Sequence, residues 1–151
     1  MLKIANKVRE LVGIDISRGQ LIQLKNKLNF LTPNIHLVRC NAEMLPFHNE
    51  AFNVVLSQGA LSEIIHPEKT VLEMSRVLKT GGKLVIIAYG KRGFINIVNP
   101  WALKPNNLEK LLTKEGFYIE KLAWLKSHYI LVVGIKYKNI EKVPANSLYP
   151  Q

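Results

Sequence analysis

The segment from Leu11 to Ser17 constrains the fold more than any other part of this chain. An apolar run leads to one acidic residue, Asp15, and a polar stretch with a helical pattern follows from Ser17. A short apolar run bounded in this way is typical of a buried strand in a parallel sheet, where ligands bind beyond the carboxyl ends of the strands. A carboxylate there can accept hydrogen bonds from both hydroxyls of a ribose. The alternative is a strand-end aspartate that only caps the next helix.

Strand and helix patterns alternate along the rest of the chain. Helices are predicted over residues 2 to 10, 18 to 30, 67 to 78 and around Leu108 to Leu112, and residues 79 to 82 should end the third of them at a glycine. Strands are predicted at Leu11 to Ser17, Ile35 to Cys40, Phe52 to Leu56, Lys83 to Tyr89, Phe117 to Leu125 and Tyr129 to Tyr137. This alternation predicts an α/β fold with a mostly parallel sheet. The last two strands, joined by three residues, should form an antiparallel hairpin.

Composition sets broad limits on the protein. With 151 residues, 48% of them apolar, the chain is expected to form one domain over residues 1–138, followed by a tail over 139–151. The single cysteine, Cys40, excludes an intrachain disulfide, and the four histidines lack metal-ligand spacing, so no metal site is expected. Neither a membrane span nor a signal peptide is recognisable, which favours the cytoplasm. The net charge of +10 suits an anionic partner, but the basic residues are scattered, so nucleic-acid binding ranks last among the functions considered.

Four motifs together resemble one enzyme family. They are Val12 to Ser17, Asn41-Ala42-Glu43 with Leu45-Pro46-Phe47, Phe52 to Val55, and Arg76 to Leu84. Their order and spacing are similar to those of class I S-adenosylmethionine-dependent methyltransferases, and most of all to the group that includes quinone-biosynthesis C-methyltransferases. The resemblance covers about residues 2 to 137 and implies a Rossmann-like sheet.

The resemblance also implies a set of cofactor contacts. The family's ribose-binding acid corresponds to Asp15, and the adenine would lie against Ile16 and Leu45. Other contacts fall on the pair after the next strand and on the residues after the strand at Phe52: Asn41, Ala42, Ser57 and Gln58. The family has aspartate where Asn41 stands, but an amide oxygen can still accept from the adenine amino group. It also usually has aspartate at position 53 and proline at position 80, where this chain has Asn53 and Thr80.

The front of the chain departs from the family pattern. The family's first strand and Gly-rich loop would lie before Met1, so the sequence resembles an N-terminally truncated member. That strand would be central, between the strands at Leu11 and Phe52. The slot could be closed by direct pairing of these two strands, by another segment, by a partner chain or second copy, or by residues upstream. On this basis the 151-residue chain alone is expected to bind S-adenosylmethionine weakly.

The implied function is methyl transfer from S-adenosylmethionine to a small-molecule acceptor that the sequence does not identify. Glu63 and His66 are candidate general bases, although a solvated loop carboxylate and a helix-start histidine are the simpler interpretations. The stretch from Gly90 to Lys104 could contact the acceptor through Lys91, Arg92, Phe94 and Trp101, or it could be a plain surface loop. The alternative function is a degenerate, non-catalytic methyltransferase fold that serves as a binding module or partner subunit.

Overall fold

The computed structural model describes residues 7–28, 34–90, 103–125 and 128–137. The chain divides into two compact units, residues 1–46 and residues 47–151. The elements of the first unit are β1 (Leu11–Asp15), α1 (Arg18–Lys27) and β2 (Ile35–Arg39). Those of the second are β3 (Phe52–Gln58), a single 3-10 turn (Ala60–Ser62), α2 (Pro67–Val77), β4 (Leu78–Tyr89), α3 (Pro105–Lys114), β5 (Phe117–Leu125) and β6 (Tyr129–Lys136).

The first unit is built on a parallel pair of strands. β1 and β2 run in register from Leu11 opposite Ile35 to Asp15 opposite Arg39. Ser17 ends the connection from β1 by capping α1, because its hydroxyl accepts a hydrogen bond from the Gln20 backbone N–H at 3.3 Å. Parallel pairing brings the carboxyl ends of both strands to one edge, which is the edge where the sequence predicts ligand contacts.

The second unit is a four-stranded sheet with helices on one face. The strand order is β3-β4-β6-β5, with β3 parallel to β4 and the other two pairs antiparallel. Alternate residues of β4 and β6 face the helices and are fully buried. The core they form with α2 and α3 includes Leu61, Val71, Met74, Leu78, Leu84, Ile86, Ala88, Leu108, Leu112, Phe117, Ile130 and Val132.

Several features of the fold confirm the sequence predictions. The α/β alternation, the parallel partners of β1 and β3, and the antiparallel β5–β6 hairpin are all present. The strands that the structure describes form two sheets, β1-β2 in the first unit and β3-β4-β6-β5 in the second. How the predicted slot between the strands at Leu11 and Phe52 is closed stays a prediction.

The boundaries of two elements differ from prediction. Residues 79–82, predicted to end a helix, belong to β4, which begins at Leu78 directly after α2. Gly81 does have the expected positive φ of 77°, and the pairing of β3 with β4 shifts between Phe52 and Val54. The strand thus begins irregularly, directly after the last residue of α2. Residues 1–6, 126–127 and 138–151, which hold most of the first predicted helix, part of the hairpin link and the predicted tail, lie outside the described residues.

Arg76 fixes the loop that leads into β3. Its guanidinium donates to both Glu73 carboxylate oxygens at 2.6 and 2.8 Å, and also to the Phe47 carbonyl at 2.7 Å. A second link joins this loop to β4, where the Thr80 hydroxyl donates to Glu50 Oε1 at 2.9 Å. The family usually has proline at position 80, and proline has no hydroxyl to donate. Thr80 therefore makes a hydrogen bond to Glu50 that proline could not make.

Two glycines allow close approach of neighbouring groups. A Cβ at Gly82 would lie 2.8 Å from the Lys79 carbonyl oxygen and 2.9 Å from that of Asn53. A Cβ at Gly90 would lie 2.6 Å from the Trp124 ring. The first obstacle is backbone and the second is a large packed side chain, so neither position has room for a methyl group.

None of the helices in the described ranges is both long enough and apolar enough to span a membrane. 

We expect Gly82→Ala to destabilise the protein by about 1–3 kcal/mol, because the added methyl would overlap two backbone oxygens that cannot move independently. The measurement is the urea midpoint of unfolding. Gly134→Ala is the matched control in the same sheet, since its new Cβ would meet Phe117 at 3.4 Å, an ordinary contact. Equal urea midpoints for Gly82→Ala and Gly134→Ala would show that position 82 does have room for a methyl group.

The Thr80–Glu50 bond predicts a pH-dependent stability difference. The Thr80 hydroxyl, followed by the Lys136 ammonium, holds the pKa of Glu50 below its ordinary value of 4.5. A lowered folded-state pKa stabilises the protein above 4.5, and this stabilisation is lost as pH falls through the folded value. We expect Thr80→Val to be less stable than the natural protein at pH 7, with a difference that shrinks at pH 3. Thermal unfolding at both pH values measures it, and a constant difference would show that Glu50 is not involved.

Candidate functional site

Asp15 and Asn41 follow neighbouring strands at one edge of the first unit. The Cys40 backbone N–H donates to the Asp15 carbonyl oxygen at 3.2 Å, which ties the ends of β1 and β2 together. Asp15 Oδ1 accepts from the Ser17 backbone N–H at 2.8 Å, and Asn41 Oδ1 accepts from that of Glu43 at 2.9 Å. Both side chains therefore shape their own loops. Asp15 is not the helix cap of the simpler interpretation, because the residue that caps α1 is Ser17. Each also retains acceptor capacity, because a carboxylate has a second oxygen and an amide oxygen a second lone pair.

Polar and apolar groups surround Asp15 within this unit. A cavity of about 250 Å³ is lined by Asp15, by Gly13 and Ile14 of β1, and by five residues of α1, namely Gln20, Leu21, Gln23, Leu24 and Lys27. Ile16 is 64% exposed, which is unusual for so large an apolar side chain directly after a strand. Arg39 Nε donates to the Ile16 carbonyl at 3.0 Å and fixes the backbone there. An anchored, exposed isoleucine beside a carboxylate can pack on a flat ring.

The loop after β2 holds the other predicted contacts of this unit. Ala42 and Leu45 are partly buried in it, and the Met44 backbone N–H closes a turn onto the Asn41 carbonyl at 3.1 Å. Met44 itself is 77% exposed, although the sequence analysis gave it no role. Burial raises the pKa of the Cys40 thiol, which keeps it in the unreactive protonated form.

Ser57 and Gln58 end β3 in the second unit but face opposite sides of the sheet. Ser57 is 6% exposed, and its hydroxyl has no hydrogen-bond partner among the residues that the structure describes. Gln58 is exposed, on the same face as Val54 and Leu56. Of the two predicted contacts, Gln58 is therefore the one whose side chain a ligand can reach directly.

The two candidate bases occupy the connection between β3 and α2. Glu63 is exposed just after the 3-10 turn, and His66 precedes Pro67 at the start of α2. His66 Nδ1 lies 3.5 Å from Glu68 Oε1, and the His66 carbonyl accepts from the Lys69 and Thr70 backbone N–H groups. These contacts match the helix-start interpretation of His66.

Two further predictions concern the acceptor contacts and the metal site. Lys91, Arg92, Phe94 and Trp101, the predicted acceptor contacts, lie outside the described residues. Within the described ranges, no cluster of histidine, cysteine and acidic side chains could hold a metal ion.

A tyrosine pair that the sequence analysis did not single out lies at the carboxyl end of β4. The hydroxyl oxygens of Tyr89 and Tyr129 are 3.0 Å apart, and their ring centroids are separated by 4.6 Å. The two residues are opposite each other in the β4–β6 register, which only the fold could reveal because 40 positions separate them in sequence. The Ser62 hydroxyl accepts from the Tyr89 backbone N–H at 3.0 Å, which links the pair to the residue before Glu63.

The pairing also alters the acidity of Tyr89. The hydrogen bond with Tyr129 raises the pKa of Tyr89 most, followed by repulsion from the charge that Tyr129 would carry on ionising, by burial and by the Glu63 carboxylate. Tyr89 therefore stays a neutral phenol over a wider pH range than an isolated tyrosine, and can act as a hydrogen-bond donor.

Comparison with known proteins identifies the family. The family model described as a methyltransferase domain matches residues 1–86, more than half of the chain. The chain belongs to this methyltransferase family. The match covers β1, β2, β3, α2 and most of β4, and so includes every motif on which the sequence resemblance was based.

One curated relative is named as a methyltransferase. The ubiquinone/menaquinone biosynthesis C-methyltransferase UbiE of Campylobacter jejuni subsp. jejuni is 28% identical over 142 residues, an alignment that includes 79% of this chain. The chain spans 59% of the length of that protein.

Solved structures share the fold at low sequence identity. A SAM-dependent methyltransferase from Aquifex aeolicus aligns with a TM-score of 0.72 and 16% identity, covering 83% of this chain and 68% of that one. The [4+2]-cyclase SpnF aligns with a TM-score of 0.79 and 17% identity, covering 90% and 69%. The predicted Rossmann-like α/β class is confirmed. The cyclase also demonstrates that this fold alone does not determine the reaction.

We expect Tyr129→Phe to lower the pKa of Tyr89, because the substitution removes the largest contribution that raises it. Tyrosinate absorbance near 295 nm, followed from neutral to alkaline pH, should show one group that ionises earlier than in the natural protein. Tyr118→Phe is the control, since Tyr118 contacts Tyr137 edge-on at 6.0 Å in the same sheet. An unchanged high-pH transition in Tyr129→Phe would contradict the pairing.

Proposed function

We propose that this protein binds S-adenosylmethionine at the carboxyl edge of β1 and β2 and transfers its methyl group to a small-molecule acceptor. The observation that carries the proposal is the backbone bond at 3.2 Å by which the N–H of Cys40, the residue before Asn41, donates to the Asp15 carbonyl. Membership of the methyltransferase family supports the activity.

The donor groups present are suited to the nucleoside end of this cofactor. The second carboxylate oxygen of Asp15 would accept from ribose hydroxyls, and the exposed Ile16 side chain would cover one face of the adenine. Asn41 would accept from the adenine amino group through the remaining lone pair of its amide oxygen, with Ala42 and Leu45 alongside. The other two predicted contacts, Ser57 and Gln58, belong to the second unit, where the Gln58 side chain is exposed and the Ser57 side chain is buried.

The cofactor supplies a sulfonium-bound methyl group for in-line displacement. The protein's contribution to such a reaction is mainly alignment, since a proton acceptor is needed only where the acceptor group is poorly acidic. Glu63 remains our candidate for that proton acceptor. His66 is a weaker one, because its imidazole lies beside Glu68 at the start of α2.

The acceptor class follows from the name of the relative. UbiE of C. jejuni is named as a C-methyltransferase of quinone biosynthesis. We therefore propose a carbon acceptor in an oxygen-substituted ring, taken up as a free small molecule in the cytoplasm.

A non-catalytic role is the second candidate. The unpaired outer edges of β1 and β3 among the described strands favour a further strand or subunit beside them. Such a partner, whether a second copy of this chain or another protein, would be compatible with both the catalytic and the non-catalytic role.

We expect Asp15→Asn to weaken S-adenosylmethionine binding by about 10- to 100-fold, because hydrogen bonds to a charged group contribute about 1.5–3 kcal/mol. The amide still accepts from Ser17, so the loop is preserved. Calorimetric titration of the full chain measures the affinity. Glu10→Gln, which removes a carboxylate just before the opposite end of β1, should bind normally.

The same titration separates the alternatives. Unchanged affinity in Asp15→Asn would disprove the ribose contact. Cofactor binding without turnover of any quinol-type acceptor would favour the non-catalytic role.

A further inference from the structure

The hydroxyl groups of Tyr89 and Tyr129 bond to each other, which leaves one of the two O–H groups able to donate to a ligand. Their oxygens, 3.0 Å apart, share a single hydrogen bond, which uses one of the two O–H groups. Whichever tyrosine donates, the other retains its proton. Among the described residues, no third group accepts a hydrogen bond from the pair.

The position of the pair favours a ligand over a purely structural role. Tyr89 ends β4 and lies on the sheet face opposite the α2–α3 core, since its neighbour Ala88 is buried in that core and side chains alternate along a strand. Both tyrosines are only half-buried. The carboxyl ends of strands in α/β sheets are where ligands bind, and β4 runs parallel to β3, which carries Gln58 at its own end.

The backbone around the pair is held firmly. The Tyr89 N–H donates to the Ser62 hydroxyl at 3.0 Å, and its carbonyl accepts from the Leu103 N–H at 2.7 Å. The adjacent Gly90 N–H donates to the His128 carbonyl at 2.9 Å, beside Tyr129. Fixed backbone on both strands keeps the two hydroxyls aligned without the ligand.

The surroundings indicate the chemistry of the ligand. On the same sheet face, Ile87 and Leu131 form the next pair of residues along β4 and β6, and Leu125 lies opposite Tyr129 on β5. These side chains are apolar and partly exposed, with Leu125 at 38%. Such a surface suits a ligand with a flat apolar body and one oxygen that accepts a hydrogen bond.

We propose that Tyr89 and Tyr129 bind an oxygen of the methyl acceptor, a carbonyl or ring oxygen on an aromatic or conjugated framework. The inference rests on the proposed function for the identity of the ligand as acceptor. The raised pKa of Tyr89 supports it, because a neutral phenol donates whereas a phenolate cannot. The two residues position the acceptor and take no part in bond making or breaking.

The test uses two probes that differ in one oxygen. 1-Tetralone has a carbonyl that accepts a hydrogen bond, and tetralin has the same fused ring without it. Titration of the ¹⁵N-labelled full chain gives both affinities and shows whether the Tyr89 and Gly90 amides shift. We expect the natural protein to prefer 1-tetralone by about three- to tenfold, the range for one added hydrogen bond.

Substitutions distinguish a hydroxyl pair from ring packing. Tyr89→Phe or Tyr129→Phe leaves one O–H that can still donate, so each single variant should keep part of the preference. The double variant should lose it while retaining both rings. Tyr118→Phe, in the same sheet, should behave like the natural protein, and thermal unfolding checks that all variants are folded.

The titrations with the two probes decide this inference, and they are independent of the titration with the cofactor. No preference for 1-tetralone in the natural protein, or a full preference in the double variant, would overturn the hydroxyl pair as a binding site. Titration of the same samples with S-adenosylmethionine tests the proposed function, and the double variant should bind it with unchanged affinity. If the natural protein failed to bind S-adenosylmethionine, the proposed function would be disproved. The result with the two probes would still stand.

Discussion

The second unit depends on β4 being paired along both edges. β3 binds one edge in parallel and β6 binds the other in antiparallel fashion, so the backbone groups of the central strand are satisfied while its side chains are buried. Leu84, Ile86 and Ala88 can then lie at 0–1% exposure under α2 and α3. The same pairing determines where the strand ends, and therefore where Tyr89 meets Tyr129.

The fold class was largely accessible from the sequence because local pattern and global architecture agree. Most strands are short apolar runs, and Pro67 and Glu68 mark the start of α2. The start of β4 was not accessible. Lys79 to Gly82 has the composition of a helix stop, but pairing with β3 extends the sheet into it, with a register shift between Phe52 and Val54 that only the tertiary structure reveals.

The candidate site was predictable only where residues are near in sequence or follow a known motif. The backbone link from Cys40 to Asp15 follows from β1 and β2 being parallel neighbours, which the alternation already implied. Ser57 is buried and Gln58 is exposed because one face of β3 meets the helices and the other does not. The apolar run of this seven-residue strand does not show which face is which. The tyrosine pair depends on the β4–β6 register, for which neither residue carries a signal of its own.

The close contact of Gly90 with Trp124 has a consequence for how related sequences can vary. Any side chain at position 90 would overlap the indole, which itself packs against the core from β5. The same Cβ would lie 2.7 Å from the Ile130 side chain, so a homologue with alanine or a larger residue at position 90 must make room at both position 124 and position 130. These three positions, far apart in the chain, should change together during evolution, and their covariation would record the packing of one strand end against its neighbours.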